Sequence, residues 1–237
     1  MSKEVDLHHG DCLELMKNIP DKSIDMVLTD PPYGTTTCKW DTVIPFEPMW
    51  NELKRITKDN GAICLFSKQP FTSNLIMSNP KMFKYPLIWK KDNHDNPLMA
   101  KKRHLNITED INVFYAKQCH YYPQGLTEIN KTTRQGRGES LSQKNQRKKT
   151  YLQTHTGYPN NVLDFKRDLP SKHPTQKPVA LLEYLIKTYT LEGETVLDFT
   201  MGSGSTGAAC KNLNRKFIGI EKEEKYFNIA KERINVG

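Results

Sequence analysis

Short apolar runs alternate along most of this chain with stretches in which apolar residues recur every three or four positions, the pattern of buried strands alternating with amphipathic helices. Residues 24–29 form such a run and lead straight into Asp30-Pro31-Pro32-Tyr33. Two consecutive prolines stop any regular element, so a buried strand is expected to end there in a rigid loop. Residues 46–57 carry Phe46, Met49, Trp50, Leu53 and Ile56 at helical spacing, and Gly61 opens a second buried strand over 62–67. Beyond Pro70, residues 71–78 read as a helix and 85–90 as a strand, continuing an α/β rhythm. That rhythm breaks over 91–170: residues 110–117 still read as a strand, but 129–150 hold almost no large apolar side chain and cannot build a core. From His173 it resumes, with helix over 179–189, strand over 195–199, helix over 205–213, strand over 216–220 and a closing helix over 223–234. No internal repeat is visible.

Composition narrows the class. The 237 residues, 36% of them hydrophobic and 26% charged, suffice for one full core and a small lobe beside it. No apolar stretch approaches the roughly 18 residues of a membrane span, and the mixed charges of the first six residues exclude a secretory leader, so the cytoplasm is expected. Cys12, Cys38, Cys64, Cys119 and Cys210 are odd in number and contain no C-x-x-C pair. Reduced thiols and no metal site are the expectation. The net charge of +8 is localised: residues 81–150 hold 15 Lys and Arg against 6 Asp and Glu, leaving 20 against 21 elsewhere. A near-neutral body with one basic segment suits a polyanion-binding lobe on a neutral domain.

Two motifs carry chemistry. In the first, residues 196–207 run from strand into Gly202-Ser203-Gly204 and on into a helix, and Glu221 ends the next strand. Glycines allow close backbone approach to a ligand, and an acid at that strand end can accept both hydroxyls of a ribose. The spacing of Gly202, Gly204 and Gly207 also fits a dinucleotide loop, although too little chain follows for the rest of such a sheet. In the second, Asp30, the Pro31 carbonyl and the Tyr33 ring, stiffened by Pro32, are suited to grip an amino group on a flat ring. A merely stiff turn is the structural alternative.

Together these residues resemble the S-adenosylmethionine-dependent DNA amino-methyltransferases, in the permuted arrangement where D-P-P-Y precedes the cofactor motif and a target-recognition segment lies between. The resemblance implies a Rossmann-like α/β sheet with helices on both faces and a small basic insertion. Residues 1–90 would form the catalytic half, 91–170 the target-recognition region and 171–237 the cofactor-binding half. It implies Asp30, Pro31, Pro32 and Tyr33 as the catalytic loop. Cofactor contacts would come from Asp11, Cys12, Asp30, His173, Lys177, Asp198, Phe199, Gly202, Ser203, Gly204 and Glu221, with His173 and Lys177 near the methionine end. Without the family, Asp11 would be the N-cap of a helix over 13–18. Family members often read D-P-F-x-G-S-G, whereas Phe199 and Thr200 stand here in the Pro and Phe positions.

The implied reaction is methylation of adenine N6 in double-stranded DNA, on a base flipped out of the duplex and stacked on Tyr33, with Trp40 as a further aromatic candidate. Lys101, Lys102, Arg103, Arg134, Arg137, Lys144, Arg147, Lys148 and Lys149 are the expected DNA contacts, and residues 129–150 are expected to gain order on DNA. A homodimer and a cognate restriction endonuclease are the further partners the resemblance admits. Cytosine-N4 methylation, for which the family more often carries Ser in place of Asp30, is the nearest alternative, and a catalytically silent DNA-binding subunit the more distant one.

Overall fold

The apolar run at 24–29 forms strand β2 (Ile24–Thr29), five of whose six residues are buried, and burial on both faces is what a central strand of a covered sheet requires. The computed structural model describes residues 5–36, 41–134, 150–169 and 176–235. Before β2 come β1 (Val5–His9) and α1 (Cys12–Leu15), and after it α2 (Phe46–Ile56), β3 (Thr57–Ser67), α3 (Phe71–Ser78), β4 (Phe83–Lys90) and β5 (Thr108–Phe114). Next are β6 (Thr127–Arg134), β7 (Thr150–Thr156) and β8 (Val162–Asp164). The last elements are α4 (Val179–Tyr189), β9 (Thr195–Asp198), α5 (Ser205–Asn212), β10 (Lys216–Glu221) and α6 (Glu224–Asn235).

Eight strands make one sheet in the order β1-β10-β9-β2-β3-β5-β4-β8. The first five run parallel, and β5 is antiparallel to both β3 and β4. Successive side chains of a strand point to opposite faces, and the core divides accordingly. Ala62, Cys64 and Phe66 of β3 pack with Leu181, Leu185 and Ile186 of α4 and with Ala209, Ala230 and Ile234 of α5 and α6. Ile63 and Leu65 pack on the other face with Met49, Trp50, Leu53 and Ile56 of α2 and with Phe71 and Leu75 of α3. This is the expected α/β sheet with helices on both faces. β1 is an addition to the sequence reading: its apolar positions, Val5 and Leu7, are few and only half-buried. Asp11 caps α1 as expected, accepting from the Leu13 N–H at 3.0 Å, but the helix is one turn long and continues as a 3₁₀ turn over Met16–Asn18.

Residues Pro123–Asn160 form a separate unit. Its β6 and β7 pair antiparallel, from Thr127 opposite Thr156 to Thr133 opposite Tyr151, and Tyr151, Leu152 and Tyr158 are exposed. Most of β6 and the first residue of β7 thus fall within 129–150, the stretch that the sequence marks as too polar for a core, where they are ordered by strand pairing instead. Of residues 129–150, expected to gain order on DNA, 135–149 lie outside the described residues.

Gly207, the third glycine of the loop spacing, serves packing. A Cβ there would sit 2.4 Å from Ile234 Cδ1 and 2.7 Å from Phe217 Cε1, so its absence lets α5 lie close to β10 and α6. Gly207→Ala is therefore expected to cost about 1–3 kcal/mol of stability through overpacking. Denaturant unfolding measures it, and a loss below about 0.5 kcal/mol would contradict this packing role.

Candidate active site

β2 and β9 lie side by side, with Met26 level with Val196 and Val27 level with Leu197, so both chemical motifs leave the same edge of the sheet together. β2 lies between β9 and β3, so the N-terminal and C-terminal parts of the sheet meet here, the crevice position where open α/β sheets bind ligands. Threonines join the two exits. The buried Asp198 carboxylate accepts from Thr206 Oγ1 at 2.6 Å, from the Thr200 N–H at 3.2 Å and from Thr29 Oγ1. Thr200 Oγ1 donates to the Asp30 carbonyl at 3.1 Å and lies 2.9 Å from Thr29 Oγ1. Thr200, standing where the family often carries Phe, thus ties the glycine loop to the D-P-P-Y loop. Burial pushes the Asp198 carboxyl up to about 6, against the opposing hydroxyl and amide hydrogen bonds.

Tyr33 is fixed at both ends. Its hydroxyl donates to Asp30 Oδ1, and its ring stacks on Phe71 with centroids 5.1 Å apart. Its backbone N–H, with those of Gly34, Thr35 and Thr36, converges on the Asp41 carboxylate at 2.6–2.9 Å. Burial would raise the Asp41 carboxyl, but these donors outweigh it and hold it below its ordinary value. Gly34, at φ 68°, supplies the left-handed residue that turns the chain around the carboxylate. The sequence reading missed Asp41; an acid shortly after a Pro-Pro turn was its only signal.

The third feature is a row of alternating charge, buried at Lys91 and Lys177 and partly buried elsewhere. Lys177 Nζ donates to Asp30 Oδ2, lies 3.3 Å from Glu109 Oε2 and sits 5.0 Å above the Phe66 ring. Lys91 Nζ bonds Glu109 Oε1 at 3.1 Å and Asp95 Oδ1 at 2.6 Å, and Lys68 closes the row on Asp95. Lys177, expected near the methionine end of a cofactor, has its ammonium on the Asp30 carboxylate. Burial raises the Asp30 carboxyl and Lys177 opposes it, while Asp30 and Glu109 keep Lys177 charged despite burial.

A cavity of about 320 Å³ opens beside these groups. Asp11, Cys12, Asp30 to Tyr33, Lys177, Asp198, Phe199, Gly202, Ser203 and Glu221 all line it. Gly204 does not; at φ 77° it caps α5, and a Cβ would meet Ala230 Cβ at 2.9 Å. Glu221 Oε2 accepts from the Gly202 N–H at 2.9 Å and Oε1 from the Glu223 N–H at 2.7 Å, which aims the carboxylate and leaves it lone pairs for hydroxyl donors. The Gly202 N–H that could hold a dinucleotide's phosphate is thus bonded to a carboxylate that would repel one. An acidic lining of Asp11, Asp30 and Glu221 suits a cationic nucleoside. Cys12 is no nucleophile: burial pushes its thiol up to about 12.

Lys101, Lys102 and Arg103 are exposed on the loop between β4 and β5. Arg134 ends β6. His173, Trp40, Arg137, Lys144, Arg147, Lys148 and Lys149 lie outside the described residues.

Residues 24–232 match the family model described as DNA methylase. The chain is 30% identical over 261 residues to the Type II methyltransferase M2.LlaDCHI of Lactococcus lactis subsp. cremoris, covering 98% of this chain and 89% of that protein. It is 29% identical to the DNA adenine methyltransferase YhdJ of Escherichia coli, covering 96% and 82%. Among solved structures, the M1.HpyAVI-SAM complex superposes with a TM-score of 0.68 at 29% identity, covering 98% of this chain and 99% of that one.

Asp41→Asn removes the acceptor from two of the four N–H groups and is expected to cost about 1–3 kcal/mol. Because the Asp41 carboxyl is held below its unfolded value of 3.8, its contribution is complete above that pH and is lost as pH falls through the lower folded value. The stability gap between wild type and Asp41→Asn should therefore narrow below about pH 4 in thermal melts; a gap independent of pH would show that the carboxylate's charge is not what holds the loop.

Proposed function

This chain belongs to the DNA methylase family, and on that premise we propose that it methylates adenine N6 at specific sites in double-stranded DNA, using S-adenosylmethionine. The observation that carries the reading is one cavity lined by both the Asp30–Tyr33 loop and the glycine loop with its Glu221 carboxylate. When bound, S-adenosylmethionine supplies an electrophilic methyl group on a sulfonium. Asp11 and Glu221 would hold its nucleoside end, and the acidic lining complements its positive charge. The relatives' names support adenine and S-adenosylmethionine, and Asp30 itself favours adenine over cytosine, for which the family more often has Ser.

An exocyclic amino nitrogen is a poor nucleophile because its lone pair is delocalised into the ring. Asp30 and the Pro31 carbonyl accept hydrogen bonds from its two N–H groups, raising electron density on nitrogen and favouring the pyramidal geometry of attack. These bonds strengthen as positive charge develops on nitrogen, so they act in the transition state. Each Asp30 oxygen is already bonded once, to Tyr33 or to Lys177, and keeps a further lone pair for an amino hydrogen. Burial holds the Tyr33 phenol well above its ordinary value, so it stays a neutral donor. No enzyme thiol is needed: Cys12, Cys64 and Cys210 are buried with raised values. The target base must leave the duplex to reach this crevice.

We assign target reading to the basic region 91–170, and the reaction to the cytoplasm, beside a restriction endonuclease of matching specificity. The Type II names of the relatives support that last pairing, and four free buried cysteines support a reducing compartment. Among the described residues, no helix is long and apolar enough to cross a membrane.

Incubation with methyl-labelled S-adenosylmethionine and mixed-sequence DNA, followed by nucleoside analysis, should yield N6-methyladenine. N4-methylcytosine alone would move the assignment to cytosine, and no labelled base would overturn it. Asp30→Ala should lower kcat by about 100-fold or more while cofactor Kd changes little, and Glu221→Ala should mainly weaken cofactor binding. Equal effects on both constants in both variants would refute this division of roles. Replacing Arg147, Lys148 and Lys149 together by Ala should flatten the log–log salt dependence of DNA binding by roughly one unit per lost phosphate contact, with cofactor affinity unchanged. An unchanged slope would remove these three residues from the DNA interface.

A further inference from the structure

We propose that Glu109 is a positioning residue of the methyl-transfer site, which shares the Lys177 ammonium with Asp30 and so keeps the Asp30 carboxylate available to the amino group it must grip. The proposal rests on the reaction assigned above and adds to it a residue outside the two motifs. Glu109 lies on β5, two strands from β2, with β3 between them. Lys177 bridges that gap, its ammonium 5.0 Å over the Phe66 ring of β3, one side on Asp30 Oδ2 and the other 3.3 Å from Glu109 Oε2. Glu109 cannot swing away, because Lys91 holds Oε1 at 3.1 Å and is itself held by Asp95 at 2.6 Å. Lys91 and Lys177 are both buried, so these charges interact with little solvent screening.

The physical consequence is a division of one positive charge. Were Lys177 to face Asp30 alone, the two would form a closed pair, and the full ammonium charge would weaken the hold of both Asp30 oxygens on the amino hydrogens. A second carboxylate on the far side draws the ammonium back. The trio of Asp30, Lys177 and Glu109 also carries a net charge of −1, which complements the positive charge entering with a sulfonium and developing on the amino nitrogen. Removing the Glu109 charge leaves Lys177 to Asp30 and costs the transition state more than the resting enzyme.

The groups acting on Asp30 are Lys177, Glu109, Tyr33 and Asp198; those acting on Glu109 are Lys177, Lys91, Asp30 and Tyr33. Glu109 raises the Asp30 carboxyl and Lys177 lowers it, so their removals have opposite signs. Glu109→Gln should lower kcat roughly tenfold, leave cofactor Kd within about twofold, and move the acid limb of kcat to lower pH. Lys177→Met should move that limb to higher pH. A carbon-13 titration of Asp30 in the protein without cofactor or DNA should show the same opposed shifts, independent of turnover. If Glu109→Gln does not fold, Lys91→Met tests the same coupling from the other side, since it strengthens the Glu109 field and should move the Asp30 midpoint upward. Loss of activity with both limbs and the Asp30 midpoint unmoved would overturn the proposal and leave Glu109 as scaffold. Absence of methyl transfer by the wild-type protein would instead overturn the assigned reaction, and the titration would still decide whether the charge is shared.

Discussion

The parallel pairing of β2 with β9 is the constraint on which the site depends. It brings Thr29 and Asp198, 169 positions apart, within hydrogen-bonding reach and sets the D-P-P-Y loop beside the glycine loop. A parallel neighbour cannot come from a tight turn, so this contact requires long connections that pass over both faces of the sheet. The helices that cover β2 and β9 are the means by which the two loops meet. A loss of register by one residue would turn Leu28 and Val196 away from their cluster and take the threonine bonds with them.

Carboxylates built into a low-dielectric crevice define the chemistry, and each is held differently. Asp41 and Glu221 are bound by backbone N–H groups, which fix their direction without neutralising them. Asp198 has only hydroxyls and one amide, and burial prevails over them in raising its carboxyl to about 6. It serves as a tie between loops. Asp30 is the one of the four in direct contact with a buried ammonium, which opposes the upward push of burial on its carboxyl. Dipoles oriented in advance cost nothing at the moment of reaction, whereas a mobile counter-charge must be restrained, which is the use of a second anion beyond Lys177.

The strands and helices of the sheet were legible because their apolar spacing reflects burial that every strand and helix of this layout shares. The two motifs were legible because each is contiguous: Pro31 and Pro32 stiffen a loop by their own covalent geometry, and Gly202 and Gly204 adopt left-handed backbone conformations, φ 51° and 77°, that other residues resist. Strands β1 and β8 escaped because Val5 and Leu7 alternate over too short and too exposed a stretch and β8 has three residues, of which only Leu163 is buried. Gly207 had the spacing of a phosphate loop and turned out to be a contact between α5, β10 and α6.

Side-chain partnerships were decided by tertiary structure alone. Lys91, Asp95 and Glu109 are ordinary charged residues in sequence, with nothing in their local pattern to distinguish them from solvated ones, and Lys177 was marked only by the family resemblance, as a cofactor contact. The four become one row only because β5 pairs antiparallel with β3 and β4 and the segment before α4 passes over Phe66. Thr200 shows the same limit, since its bond to the Asp30 carbonyl needs the strand pairing first. The sequence by itself determined which segments are strands, helices and rigid loops, because those follow from covalent geometry and periodic burial. Which distant charges neutralise one another was settled by topology, because Coulomb energy depends on separation in space and on the solvent excluded between charges, and neither is a property of the linear chain.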